Sequence, residues 1–197
     1  MFKSFTMQVG LFFGSFNPIH VGHLIIANHI LENQALDEVW FVISPHSPFK
    51  KKDTLAPDYD RLHLVNIAIE DNPKLRSSTI EFNLPKPSYT SDTLIFLREK
   101  YPQHQFKLIM GADNVQTLHK WKNAEFLCRE YPIIAYARPG TEIKKPDVPS
   151  IDLTVSTGPL LDISASFIRR QIKEGRSVRY LVSEPVFEYL ENNTIYK

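Results

Sequence analysis

The sequence predicts an α/β fold: a mostly parallel sheet with helices on both faces, ending in a short helical C-terminal region. Three observations predict it. Short apolar runs rich in β-branched and aromatic residues recur along the chain, helical patterns lie between them, and the composition is that of an ordinary globular protein, with 43% hydrophobic and 23% charged residues. A chain of 197 residues suits one domain, residues 1–197, with a core that needs no disulfide or metal staple.

The strands come first. Met7 to Phe13, Val39 to Ile43, Phe106 to Met110 and Ile133 to Ala137 are near-continuous apolar runs of the kind buried on both faces of a parallel sheet. After the first of them, Gly22 to Gln34 sets Leu24, Ala27 and Leu31 on one stripe, with Ile26 and Ile30 beside it, and reads as a helix. Asp92 to Lys100 carries Leu94 and Leu97 and is stopped by Pro102. Asp113 followed by Gln116 has the form of a capping box, opening a helix through Val115 and Leu118. Two stretches read as loops: Ser44 to Pro57, with three prolines and the run Lys50-Lys51-Lys52, and Arg138 to Ser150. The C-terminal region holds two short helical patterns, Ser164 to Glu174 before Gly175, and Ser183 to Glu191 with Pro185 in its first turn. In such sheets ligands bind beyond the carboxyl ends of the strands, so the residues after Phe13, Ile43 and Met110 are the place to look.

Composition narrows the functions. The formal net charge of +1 argues against a nucleic-acid partner held by a basic surface, but leaves room for a local cationic pocket. One cysteine, Cys128, permits no internal disulfide and reads as a buried thiol. Lys3 alone precedes an apolar run broken by Gly10, and no stretch approaches the ~20 apolar residues of a membrane span, so no membrane partner and a cytoplasmic location are expected.

Chemistry concentrates in Gly14-Ser15-Phe16-Asn17-Pro18-Ile19-His20-Val21-Gly22-His23, between the first strand and the first long helix. Gly14 is expected to let the chain turn out of the strand and Pro18 to stiffen the loop. His20 and His23 stand three apart where the helix begins, beside unpaired first-turn amides and the positive end of the dipole, which together favour an anion. Two imidazoles there can donate to phosphate oxygens where negative charge grows, which suits phosphoryl transfer. A solvated helix start, or two ligands of a metal site, accounts equally for the pair alone; a zinc site needs a third ligand, and no Cys or His-rich partner has suitable spacing. Ile163-Ser164-Ala165-Ser166-Phe167-Ile168-Arg169 is the second motif. Ser164 is a plausible N-cap, Ser166 sits in the first turn, and Arg169 falls on the same face, able to fork onto phosphate; an ordinary capped surface helix is the alternative.

These segments resemble the two signatures of the nucleotidyltransferase superfamily with a His-x-Gly-His motif, in the expected order. The Phe16-Asn17-Pro18 form is similar to the branch that adenylylates nicotinate or nicotinamide mononucleotide. Pro87-Ser88-Tyr89-Thr90-Ser91-Asp92-Thr93-Leu94, and Gly111-Ala112-Asp113-Asn114 through Lys120-Trp121, resemble segments of the bacterial nicotinate-mononucleotide adenylyltransferases. Ala165 and Ser166 depart slightly from that family's hydroxyl pattern. The resemblance implies a Rossmann-like, doubly wound fold, ATP and nicotinate mononucleotide as substrates, Mg²⁺ accompanying ATP, and no protein-held metal. It implies catalytic roles for His20, His23 and Arg169, and ATP contacts from Gly14, Ser15, Phe16, Gly111, Asp113, Ser164 and Ser166 as well. For the mononucleotide it implies Asn17, Lys50, Tyr89, Thr90, Trp121 and Lys122, with Trp121 stacking on the pyridine ring and backbone amides near Thr90 and after Trp121 receiving the carboxylate. His46 and the lysine run also fall in the crevice region. A superfamily transferase acting on nicotinamide mononucleotide, pantetheine phosphate or glycerol phosphate, and a non-catalytic nucleotide-binding module, remain as alternatives, and a homo-oligomer is compatible with the sequence.

Overall fold

In the computed structural model, six parallel strands form one sheet in the order β3-β2-β1-β4-β5-β6. The structure describes residues 5–45, 55–137, 140, 146, 148, 150–159 and 161–197. The strands are β1 (Gln8–Gly14), β2 (Glu38–Ile43), β3 (Leu75–Ser78), β4 (Gln105–Gly111), β5 (Ile133–Tyr136) and β6 (Leu153–Ser156). The helices are α1 (Val21–Asn33), α2 (Asp58–Ile69), α3 (Thr90–Lys100), α4 (Ala112–Thr117), α5 (Ala124–Glu130), α6 (Ala165–Lys173) and α7 (Glu184–Asn192).

Alternation along the strands builds two cores. On β1, Phe12 faces one side, with Phe41 of β2, Ile109 of β4 and Ile134 of β5, and is covered by α1, α2, α6 and α7. Val9 and Leu11 face the other, with Trp40, Leu108 and Ile133, under α3, α4 and α5. Burial on both faces is why these strands read as unbroken apolar runs rather than alternating ones. β1 pairs with β2 on one side and β4 on the other, with Leu11 beside both Trp40 and Leu108. The chain winds outward from β1 to β3, then crosses back to β4 and winds the other way. The crevice at this reversal opens at the carboxyl ends of β1 and β4, at Gly14 and Gly111.

The expected doubly wound fold is present, with two strands and two helices beyond the sequence reading. β3 and β6 are the edge strands, four residues each and mostly polar or partly exposed, so they carry little apolar signal. α2 opens on Asp58-Tyr59-Asp60 and follows the proline-rich stretch, which masks it. α5 is only seven residues long. The capping box assigned to Asp113 is not formed: Gly111 is the N-cap, and Asp113 is the second residue of α4. Among the described residues no helix is long and apolar enough to cross a membrane.

Candidate active site

The loop from β1 to α1 turns at Phe16, not at Gly14. Phe16 has φ of +43°, the left-handed region that costs a bulky residue on the order of 1–2 kcal/mol. The glycine is needed for room instead, since a Cβ on Gly14 would lie 2.8 Å from the Phe16 ring. That ring is buried, T-stacked on Phe12 at 5.8 Å and on Phe41 at 5.3 Å, and the packing supports its backbone conformation.

His20 is the N-cap of α1 and His23 its third residue, and their rings stack with centroids 3.7 Å apart. Gly22 permits this placement, because a Cβ there would approach His20 Nδ1 to 3.0 Å. The His20 backbone N–H donates to His23 Nδ1 at 3.3 Å. An accepting Nδ1 leaves the proton of the neutral ring on Nε2, which makes that nitrogen the donor. Phe16 and Phe12 meet the His23 ring edge-on at 5.1 and 5.9 Å, so His23 is held between two phenylalanines and the other imidazole.

Across the cleft, Ser164 caps α6 as expected, its Oγ accepting from the Phe167 N–H at 3.2 Å. Arg169 Nη2 donates to Ser166 Oγ at 3.3 Å and Nη1 donates to the Asn17 carbonyl at 2.7 Å. One guanidinium therefore joins the two motifs. Asn17, 3% exposed, is a hub rather than a free ligand-binding amide: its Oδ1 accepts from the Ala56 N–H at 3.0 Å and the Tyr196 hydroxyl at 2.8 Å.

The resulting cleft has a volume of about 600 Å³. Of the residues expected at the site, Gly14, Ser15, Phe16, Asn17, His20, His23, Asp113, Ser164, Ser166 and Arg169 line it together. Gly111 lies beneath, close against the Asp113 carboxylate. Asn114 and Ile163, quoted within the motifs but given no role of their own, also line the cleft, as does Tyr136, which was not read from the sequence. Tyr136 ends β5 and looks there like any buried strand aromatic. A more open hollow of about 680 Å³ adjoins it past Ser166 and Arg169, but holds neither histidine.

Tyr89, Thr90, Trp121 and Lys122 do not line that cleft. The two segments do meet: Lys122 Nζ is 2.8 Å from Asp92 Oδ2 and lies over the Tyr89 ring at 4.7 Å. Trp121 is partly buried against the second core. His46, Lys50, Lys51 and Lys52 lie outside the described residues. Among the described residues, no three His, Cys, Asp or Glu side chains converge on a metal-sized site. Cys128 is buried and its thiol is pushed up by burial, away from reactivity.

The signal that sequence reasoning missed most is Arg61. It is fully buried in the first turn of α2 and donates to the carbonyls of Ala56 and Ser44, each at 3.0 Å, and to the Ser15 carbonyl. It also pairs with Asp58 at 2.6 Å. An arginine in a charged helix start gives no sign of this in sequence.

The cytidylyltransferase-like family model matches residues 11–171, a span that contains both motifs. With the sheet reversal and the paired histidines, this defines the chain as a nucleotidyltransferase of that class. A probable nicotinate-nucleotide adenylyltransferase of Flavobacterium psychrophilum is 49% identical over 192 residues, 97% of this chain and 100% of the relative. One from Cytophaga hutchinsonii is 49% identical over 193 residues, 96% of this chain and 98% of the relative. The chain belongs to the nicotinate-nucleotide adenylyltransferase family. The fold is also that of the Plasmodium falciparum nicotinic acid mononucleotide adenylyltransferase complexed with NaAD, with a TM-score of 0.76 over 96% of this chain and 97% of that one at 20% identity.

Proposed function

We infer that the chain transfers the adenylyl group of ATP to nicotinate mononucleotide, forming deamido-NAD (nicotinate adenine dinucleotide) and pyrophosphate, a step of NAD biosynthesis. The observation that carries this reading is the stacked His20–His23 pair facing Ser166 and Arg169 across one cleft at the sheet reversal. The acceptor phosphate attacks the α-phosphorus of ATP in line; the new P–O bond forms as the bond to the β-phosphate bridging oxygen breaks, and pyrophosphate leaves with the electron pair. No protein nucleophile is required. His20 and His23 donate to phosphoryl oxygens as charge builds there, and the first turn of α1 adds its amides and dipole. Arg169 and Ser166 hold the pyrophosphate side. Gly14, Ser15, Phe16, Gly111, Asp113 and Ser164 shape the ATP site. Asn17 acts by fixing the loop, and Tyr89, Thr90, Trp121 and Lys122 receive the pyridine end.

Nucleotidyltransferases of this kind use ATP with a divalent metal. Mg²⁺ suits the phosphate oxygens of ATP, hard ligands that keep it hydrated, and it would neutralise part of the triphosphate charge.

Pyrophosphate release with a panel of acceptors tests the reading. Nicotinate mononucleotide should be turned over at least tenfold more efficiently than its amide, because two converging N–H donors suit a carboxylate and oppose an NH₂ group, at about 1–3 kcal/mol for each mismatched group. Equal efficiency on both, or turnover only with pantetheine phosphate or glycerol phosphate, would assign the chain to another branch.

A further inference from the structure

A buried acid, used nowhere in the mechanism above, sits beneath the pyridine-binding segment. Glu81 lies in a single 3₁₀ turn, Ile80–Asn83, between the end of β3 and the start of α3, and is 2% exposed. Its Oε1 accepts from Thr93 Oγ1 at 2.8 Å. The same Thr93 hydroxyl lies 3.2 Å from the Tyr89 carbonyl oxygen, and Thr93 is 1% exposed. Burial raises the Glu81 carboxyl above its usual range, opposed by the hydroxyls of Thr93, Ser44 and Ser88. Among the described residues, Glu81 Oε2 and the buried Ser88 Oγ have no hydrogen-bond partner in good geometry. A buried acid kept under such conditions needs a reason beyond stability, since an apolar side chain would fill the place at less cost.

The reason lies in one peptide plane. Tyr89 is the N-cap of α3, and its carbonyl accepts from the Asp92 and Thr93 backbone N–H groups at 3.0 and 3.2 Å. The Tyr89 carbonyl and the Thr90 N–H belong to the same planar trans peptide unit and point in opposite directions. Whatever orients the carbonyl therefore aims the N–H. As the first residue of α3, Thr90 has no intrahelical acceptor for that N–H, which projects from the positive end of the helix, while the Lys122 ammonium lies over the Tyr89 ring, paired with Asp92. Such a donor suits a carboxylate.

We propose that Glu81 is a specificity-determining positioning residue: by accepting the Thr93 hydroxyl it anchors the first turn of α3, whose Thr93 N–H holds the Tyr89 carbonyl, and so keeps the Thr90 N–H aimed at the substrate carboxylate. The proposal rests on the nicotinate mononucleotide reading above.

Full-length variants are compared for KM of nicotinate mononucleotide, KM of ATP, and the acid-to-amide efficiency ratio. Glu81→Ala should raise KM for nicotinate mononucleotide about tenfold or more and lower the acid preference by a similar factor, while KM for ATP changes less than about twofold. Glu81→Gln retains an acceptor for Thr93 and should keep the acid preference. Thr93→Val removes the hydrogen bond to Glu81 without touching the acid and should reproduce the Glu81→Ala pattern, with rescue by Thr93→Ser. This pair carries the test if Glu81→Ala does not fold. Parallel rises in both KM values, or an unchanged ratio in Thr93→Val, would overturn the proposal. A parent enzyme without acid preference would overturn the substrate reading instead, so the two failures are distinct.

Discussion

At the scale of single residues, the site depends on side chains whose donors are aimed before substrate arrives. His20 and His23 stack on each other, and Gly22 leaves the space for it. His20→Ala should lower turnover by roughly 10²–10³, the loss typical of one preorganised donor, with ATP affinity much less affected. Single-turnover rates and equilibrium ATP binding check this, and equal losses in both would point to a collapsed loop. Glu81 allows a second prediction, from pH. Its folded carboxyl is raised above its ordinary value of 4.5, so between that value and the raised one the folded state keeps a proton that the unfolded chain has released. Stability from this group is complete below the ordinary carboxylate range and falls as pH rises through the window. Glu81→Gln removes that slope. Thermal melts should therefore show the variant gaining on the parent as pH rises from about 4.5, and a gap independent of pH would show that the carboxyl titrates normally.

At the scale of elements, the loop from β1 to α1 is held by helices on either side of it. α6 supplies Arg169, which grips Asn17 from one direction. α2 supplies Arg61, which takes carbonyls from the loop, the end of β2 and the segment preceding α2, at Ser15, Ser44 and Ala56. Arg61→Met would leave these acceptors buried without their donor and, among the described residues, Asp58 with Lys86 alone as a cationic partner, at 3.6 Å. The expected cost is about 3–5 kcal/mol, a fall in Tm of roughly 10 °C for a domain of this size. Calorimetry reads it directly, and a shift under about 2 °C would mean that the backbone finds other donors. The exposed Lys122–Asp92 pair, by contrast, contributes little through its charge, and its interest is that it joins two distant segments.

At the scale of the whole molecule, the C-terminal region closes on the loop it is furthest from in sequence. The Val21 N–H donates to the Leu181 carbonyl at 3.0 Å, and the Tyr196 hydroxyl donates to Asn17 Oδ1 at 2.8 Å. Burial pushes the Tyr196 phenol well up, against the pull of Arg61 and Arg169, so it remains a donor at any physiological pH. Tyr196→Phe should cost about 1–3 kcal/mol by leaving Asn17 Oδ1 short of a donor, and should reduce turnover more than it reduces ATP affinity. Unchanged turnover in the phenylalanine variant would confine the C-terminal region to a packing role.

The sequence by itself determined the doubly wound sheet, through apolar runs that only two covered faces explain, and it determined the two helix starts that carry the motifs, because caps, first-turn hydroxyls and the histidine spacing are local features. It did not reveal the edge strands, whose residues have water on one side, or α2, whose charged first turn hides the apolar face behind it. Tertiary structure alone decided that Gly14 makes room rather than a turn, that Asn17 serves as a hub, and that Arg61 and Tyr196 bond to the loop from β1 to α1 while Glu81 bonds to the first turn of α3. Each of those residues acts on a partner many positions away in the chain. A buried hydrogen bond of that kind is set by where the sheet brings two segments together, and no local pattern records it.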